Sequence, residues 1–123
     1  MSIGSVQLIA IVEREYLISI DIERIIADHF NCEIHVIMPD DAQEKLSAIN
    51  YDVLIIDADM PSEIISGLVS VIARSNPKVA LLTVSDVDPE TYIPFPYRAA
   101  IAKPFTDEQV VNTLTSLLLA KVV

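Results

Sequence analysis

The chain has 123 residues and a formal net charge of -10, with 18 acidic and 8 basic side chains. This length suits one domain of ordinary size, so we expect residues 1–123 to form a single domain. The negative charge repels polyphosphate and anionic lipid. We therefore expect this chain alone to bind neither nucleic acid nor a membrane.

Cys32 is the only cysteine, so neither an internal disulfide nor a thiolate zinc cluster can form within the chain. The apolar run 6–12 is short and has no Lys or Arg before it, unlike a secretory signal. No run approaches the roughly 18 apolar residues that a membrane-spanning helix needs. These features predict a soluble protein in the reducing cytoplasm.

Five short apolar runs divide the chain, and a polar or amphipathic segment follows each of them. The runs are 6–12, 33–38, 53–56, 79–84 and 99–102. They are rich in Val, Ile and Leu with little polar alternation, which is typical of strands covered on both faces. The sequence therefore predicts an α/β fold in which a parallel five-stranded sheet is doubly wound, as (βα)5.

The first two predicted helices follow the first two runs. In the first helix, apolar residues recur at helical spacing. They are Leu17, Ile18, Ile22, Ile25, Ile26 and Phe30. In the second, Asp40 can cap the free amides while Gln43 completes a capping box, which predicts a short helix to about Ile49.

Prolines limit the later helices. A third helix begins after Pro61 and must end before Pro77, because the residue ahead of a proline avoids helical geometry. Three prolines interrupt residues 86–98, so we expect a fourth helix there to be short or irregular. Thr106 and Gln109 form a second capping box, which opens the last and clearest helix.

Polar side chains lie where four of the predicted strands end. They are Glu13, Arg14 and Glu15, then Asp57 and Asp59, then Thr83 and Ser85, and finally Lys103. Ligands of open parallel sheets bind beyond the carboxyl ends of the strands. An Asp at such an end can attack phosphorus and become an acyl phosphate, as Asp57 is placed to do. Thr83 and Lys103 can neutralise the charge of the transferred group.

At these positions the sequence resembles the response-regulator receiver family, in particular chemotaxis receivers. The matching segments are Val-Leu-Ile-Ile-Asp-Ala-Asp-Met-Pro at 53–61, Leu-Leu-Thr at 81–83 and Lys-Pro-Phe at 103–105. The resemblance covers nearly the whole chain and implies a flavodoxin-like sheet of strand order 2-1-3-4-5. It also implies that Asp57 accepts phosphate from a histidine kinase, that Thr83 binds a phosphate oxygen and that Lys103 pairs with the phosphorylated carboxylate.

The same resemblance implies a magnesium site, with Glu13, Asp57 and the backbone carbonyl of Asp59 as its ligands. The second acid of the family's usual acidic pair is here Arg14, and a guanidinium repels a divalent cation and cannot coordinate it. We expect Mg²⁺ to bind weakly or not at all, although Glu15 could serve as a substitute ligand. Two roles for Arg14 at the site stay open: offsetting phosphate charge in place of the metal, or marking a receiver that has lost phosphotransfer. The direction of its side chain is open as well, since Arg14 could instead point into solvent at the start of the first helix.

Further departures from the family concern its response to phosphorylation. Val84 stands where a very small residue is usual, so we expect restricted access to Asp57. Ala100 stands where an aromatic side chain often rotates on activation. The segment 93–105 resembles single-domain receivers paired with alphaproteobacterial sensor kinases, in which a proline-interrupted loop replaces the fourth helix. That resemblance places the regulated surface in 86–98.

The resulting expectation is a single-domain response regulator in two-component signal transduction. Its partners would be a histidine kinase or phosphotransfer protein and a downstream protein. The face formed by the last two strand–helix units would contact the partner and could also form a homodimer. The alternative is a pseudo-receiver that binds partners without phosphorylation. A third hypothesis takes Asp57 and Asp59 as the nucleophile and acid of a haloacid-dehalogenase-like phosphatase, which turnover of a phosphate ester would support.

Overall fold

The computed structural model describes residues 7–75, 77–83 and 98–119. Strands and helices alternate along most of this length. The strands are β1 (Gln7–Val12), β2 (Cys32–Ile37), β3 (Val53–Asp57), β4 (Lys78–Thr83) and β5 (Arg98–Ala102). The helices are α1 (Tyr16–His29), α2 (Pro39–Ala48), α3 (Ser62–Ser75) and α4 (Asp107–Leu119). No helix within these ranges is both long and apolar enough to cross a lipid bilayer.

The five strands form one parallel sheet in the order β2-β1-β3-β4-β5. This order confirms the predicted flavodoxin-like topology. All five side chains of β3 are buried, because helices cover both faces of the central strands. The prediction of a short or irregular fourth helix falls largely on residues 84–97, which lie outside the described part of the chain, as does Val84.

Two apolar layers hold the helices against the sheet. Alternate side chains of the central strands face opposite layers, so that Leu54 and Ile56 pack toward α2 and α3 while Val53 and Ile55 pack toward α1 and α4. Leu114 of α4 is fully buried in the second layer. The layers fix the strand ends, and therefore the residues that follow them, along one edge of the sheet.

The helix boundaries agree with the sequence at three of the four described helices. At α4, Gln109 N donates to Thr106 Oγ1 at 3.2 Å and Thr106 N donates to Gln109 Oε1 at 2.9 Å, which confirms the capping box. The predicted cap of α2 is wrong, because that helix begins at Pro39, with Met38 at the N-cap. Proline suits the first turn of a helix, where its missing N–H leaves no bond unmade.

The face of α1 also differs from its apolar pattern. Ile22, Ile25 and Ile26 are fully buried as predicted. Leu17 lies on the same periodic pattern but is 77% exposed. Tyr16, also in the first turn of α1, is 58% exposed, so periodicity overstates the length of the buried face there.

Candidate functional site

The candidate site lies at the carboxyl edge of the sheet, where β1, β3, β4 and β5 end. Asp57 is the last residue of β3, Thr83 is the last of β4, and Lys103 directly follows β5. Glu13 and Arg14 directly follow β1. Because these parallel strands are neighbours, the fold brings the predicted site residues to one place.

Main-chain hydrogen bonds hold this edge in register. Ala58 N donates to Leu82 O at 2.8 Å, and Lys103 N donates to Thr83 O at 2.9 Å. Each bond joins the residue after one strand to the neighbouring strand. The peptide bond from Lys103 to Pro104 is cis. The backbone therefore places Asp57, Thr83 and Lys103 beside one another before any side-chain contact is considered.

The Asp57 carboxylate is fully buried and accepts hydrogen bonds at both oxygens. Oδ1 accepts from Asp59 N at 2.9 Å and from Lys103 Nζ at 3.3 Å. Oδ2 accepts from Arg14 Nε at 2.7 Å. The ammonium predicted to contact Asp57 is thus in place, and the guanidinium whose direction was left open points at the same carboxylate.

Glu13 forms the other half of a buried charge cluster. Its side chain is fully buried, with Oε2 2.9 Å from Lys103 Nζ in an ion pair. Its other oxygen accepts a hydrogen bond from Glu15 N at 3.2 Å. Lys103 is only 11% exposed and lies between Glu13 and Asp57. Two carboxylates and two cations, counting Arg14, therefore balance within the cluster.

The Thr83 hydroxyl lies at the site but contacts Asp59 and not Asp57. Thr83 Oγ1 donates to Asp59 Oδ1 at 3.0 Å. This bond turns a carboxylate oxygen of Asp59 toward β4.

Burial and the two cations act in opposite directions on the buried acids. Burial acts to raise the pKa of Asp57, but the hydrogen bonds from Arg14 and the Asp59 amide and the charge of Lys103 outweigh it and hold that pKa below its usual value. For Glu13, burial prevails over the ion pair with Lys103 and raises the pKa. Asp57 is therefore the more firmly ionised of the two carboxyls.

The two cations are held in their charged forms. Burial acts to lower the pKa of Lys103, but its contacts with Glu13 and Asp57 outweigh that effect and raise the pKa above its usual value. The hydrogen bond from Arg14 to Asp57 raises the pKa of the guanidinium. Both groups therefore carry positive charge at neutral pH.

The donor atoms do not fit a divalent cation in this arrangement. Mg²⁺ needs near-octahedral oxygen coordination. Glu13 is paired with Lys103, and Oδ2 of Asp57 bears the guanidinium of Arg14. Within the described ranges, no three His, Cys, Asp or Glu side chains are grouped so as to hold a metal ion. The two predicted side-chain ligands, Glu13 and Asp57, are thus both paired with protein cations in this arrangement.

A groove of about 470 Å³ opens beside the buried carboxylate. Arg14, Asp59 and Lys103 line it together with residues of α1 and of the segment after β5. The Arg14 side chain is 47% exposed, whereas Asp57 is fully buried. The guanidinium thus reaches inward from the surface and lies between the solvent and one oxygen of Asp57.

Three contacts of the site were not predicted from the sequence, and the bond from Thr83 to Asp59 is one of them. The direction of Arg14 depends on a side-chain rotamer, which apolar periodicity does not specify. The ion pair between Glu13 and Lys103 could have been suspected, because β1 and β5 both end at the same edge with opposite charges after them. The family resemblance implied a metal-ligand role for Glu13, and an ion pair with Lys103 is not part of that role.

Many of the solved structures similar to this one are receiver domains. The chemotaxis response regulator CheY4 of Vibrio cholerae is 20% identical, with 92% of this chain and 99% of that chain covered and a TM-score of 0.73. A response regulator receiver protein from Sinorhizobium medicae is 18% identical, with 97% and 98% covered and a TM-score of 0.73. The signal receiver domain of an HD domain-containing protein from Pseudomonas fluorescens is 19% identical, with 93% and 95% covered and a TM-score of 0.74.

No protein-family profile and no curated protein sequence matches the chain. The likeness to solved structures therefore rests on three-dimensional similarity at low sequence identity. It shows that the chain has the fold of response-regulator receiver domains.

Proposed function

We propose that this chain, which has the receiver fold, is a single receiver domain over residues 1–123 that accepts a phosphoryl group on Asp57 in two-component signal transduction. The donor would be a histidine kinase or a phosphotransfer protein. The observation that carries the proposal is the Asp57 carboxylate at the carboxyl edge of the sheet, with the Lys103 ammonium 3.3 Å from Oδ1. The receiver fold supports the same conclusion.

The proposed reaction is an in-line displacement at phosphorus. An oxygen of Asp57 attacks the phosphoryl group of a phosphohistidine, the new O–P bond forms as the N–P bond breaks, and the imidazole leaves with the bonding electron pair. The product is an acyl phosphate on Asp57. Lys103 offsets its charge, and the Thr83 hydroxyl turns from Asp59 to donate to a phosphoryl oxygen. Beyond self-catalysed phosphotransfer and dephosphorylation, we propose no enzymatic activity.

The chain would act through protein contact. Its proposed partners are the donor kinase or phosphotransfer protein, a downstream protein, and a second copy of the chain at the face formed by the last two strand–helix units. Ala100, on the β5 part of that face, is exposed. With its net charge of -10, the chain would bind neither nucleic acid nor a membrane, and a cytoplasmic location fits these partners.

Intact-mass measurement after treatment with phosphoramidate, acetyl phosphate or a cognate kinase tests the proposal. One added phosphate is expected, and Asp57→Asn should abolish it. The matched control is Asp40→Asn, an equal charge change at an exposed position of α2. A chain that gains no phosphate from any donor, or that is labelled equally after Asp57→Asn, would contradict the proposal.

A second candidate is a pseudo-receiver that binds its partner without phosphorylation. The hydrogen bond between Arg14 and Asp57 favours it, because the guanidinium lies against the oxygen that would attack phosphorus. In that case partner affinity would be the same with and without a phosphodonor. It would also be unchanged by Asp57→Asn. Phosphorylation that depends on Asp57 and alters partner affinity would exclude this candidate.

A further inference from the structure

We infer that Arg14 takes the place of a divalent cation at the acceptor carboxylate, so that phosphoryl transfer to Asp57 needs no metal ion and a carboxylate at position 14 would create a metal site. The part concerning transfer rests on the proposed function. The part concerning metal binding does not, because it concerns the unphosphorylated protein.

The first support is the occupancy of the Asp57 oxygens. A metal ion at this carboxylate needs one oxygen, and Oδ1 already accepts from Lys103 and from the Asp59 amide. Arg14 Nε lies 2.7 Å from the remaining oxygen. A guanidinium has donors but no acceptor, so it contributes charge without a coordinating atom. The Arg14 guanidinium and a metal ion would therefore compete for Oδ2 of Asp57.

The second support is the local balance of charge. Glu13 and Asp57 are matched by Arg14 and Lys103, so these two predicted side-chain ligands have no unbalanced negative charge with which to attract a divalent cation. Arg14→Asp would change the charge of this cluster by two units and add two oxygen atoms. Both changes favour a hard cation.

The third support is the difference in exposure within the ion pair. Asp57 is fully buried while the Arg14 side chain is 47% exposed. The guanidinium can rotate into the groove without opening the core, which admits a phosphodonor to Oδ2. It can then return to the charged phosphoryl oxygens, for which arginine has suitable planar donor geometry. Arg14 would in this way supply positive charge to the transferred group, beside Lys103.

Metal binding to the unphosphorylated protein provides the first test. Titration with Mn²⁺, followed by electron paramagnetic resonance, would compare the wild type with Arg14→Ala, Arg14→Asp and Arg74→Asp. Arg74 is exposed near the end of α3, so Arg74→Asp makes the same charge change away from the site. We expect affinity to rise by at least about tenfold from wild type to Arg14→Asp, with Arg14→Ala between them and Arg74→Asp unchanged.

The second test measures phosphorylation by a small-molecule donor in Mg²⁺ and in EDTA. We expect the wild type to be labelled at rates within about twofold in the two conditions, whereas Arg14→Ala in EDTA should be slower by at least about tenfold. Arg14→Lys should retain part of the rate, because it keeps the charge. Far-UV circular dichroism tests whether each variant is folded. If Arg14→Asp does not fold, the comparison of the wild type with Arg14→Ala still tests the inference.

The results separate this inference from the proposed function. Wild-type affinity for Mn²⁺ equal to that of Arg14→Asp would overturn the inference, as would labelling of the wild type only in Mg²⁺. If no donor labels any variant while Arg14→Asp alone gains a metal site, the proposed function fails and the inference about metal binding stands.

Discussion

The contact between Arg14 and Asp57 makes a measurable contribution to folding, and a double-mutant cycle can isolate it. The cycle consists of the wild type, Arg14→Met, Asp57→Asn and the double variant. Methionine keeps much of the length of the arginine stem but removes its charge, and asparagine keeps the shape of the aspartate. The coupling free energy is the difference between the change in unfolding free energy of the double variant and the sum of the changes of the two single variants.

The expected size of the coupling follows from the distance and the exposure of the two groups. Nε and Oδ2 are 2.7 Å apart, which corresponds to about 1.5 kcal/mol in bulk water and about 6 kcal/mol at an effective dielectric of about 20. Because Arg14 is 47% exposed, solvent screening and the ordering of a long side chain reduce the upper figure considerably. We expect a coupling of about 1–2 kcal/mol, the lower range of hydrogen bonds to charged groups.

The same contact has a pH signature. The pKa of Asp57 in the folded protein lies below its usual value. The ionised Asp57 therefore stabilises the fold fully at pH values above its pKa in the unfolded chain, and this stability is lost as the pH falls through its pKa in the folded protein. Arg14→Met removes the strongest of the effects that lower this pKa. The variant should therefore lose that stability at a higher pH than the wild type. Urea unfolding from about pH 7 to about pH 3 would measure both the coupling and this displacement.

Arg74→Met is the control, since it removes an arginine from an exposed position near the end of α3. It should leave the urea midpoint nearly unchanged. A coupling below about 0.5 kcal/mol between Arg14 and Asp57 would refute the reasoning, because such a value is usual for fully exposed pairs. Coincident pH curves of the wild type and Arg14→Met would refute it equally.

Three further variants test the rest of the structure. Lys103→Met leaves the two buried carboxylates without their shared ammonium, so the free energy of unfolding should fall by about 3–5 kcal/mol at about pH 7.5. At about pH 5 the fall should be smaller, because one of the buried carboxylates can take up a proton in the native state. Urea unfolding at both pH values measures the difference. Leu114→Ala in the core should lower the free energy of unfolding by about 2–5 kcal/mol, whereas Leu119→Ala, at a side chain 74% exposed, should lower it by less than about 0.5 kcal/mol. Equal urea midpoints for the two variants would contradict the assigned packing. Thr106→Ala should lower stability by about 1 kcal/mol through loss of the capping box, and an unchanged thermal midpoint would show that the cap is not formed.

The sheet was predictable from the sequence because burial on both faces leaves a simple signal. The run 53–56 contains only apolar residues, and β3 adds only Asp57 to it. Prolines marked the limits of α3, and the capping box marked the start of α4. At α2 the predicted cap at Asp40 was wrong, because the prediction did not take into account that a proline such as Pro39 suits the first turn of a helix.

The site was predictable only in part. Strand ends determine which residues meet, and they identified Asp57, Thr83 and Lys103 as neighbours. They do not determine where a long side chain points, because that depends on competing partners. Arg14 could have remained in solvent, and its contact with Asp57 is visible only in the three-dimensional arrangement. The bond between Thr83 and Asp59 was hidden from the sequence for the same reason.

The main-chain bonds at the strand ends have a consequence for how this architecture can be altered. The bonds from Ala58 N to Leu82 O and from Lys103 N to Thr83 O involve no side-chain atom, so exchanging nearby side chains for any residue other than proline leaves their donors and acceptors in place. Scaffold and reactivity are thus separable. A designer could convert one framework into a metal-dependent acceptor, a metal-free acceptor or a silent adaptor by exchanging individual side chains, without redesigning the sheet beneath them.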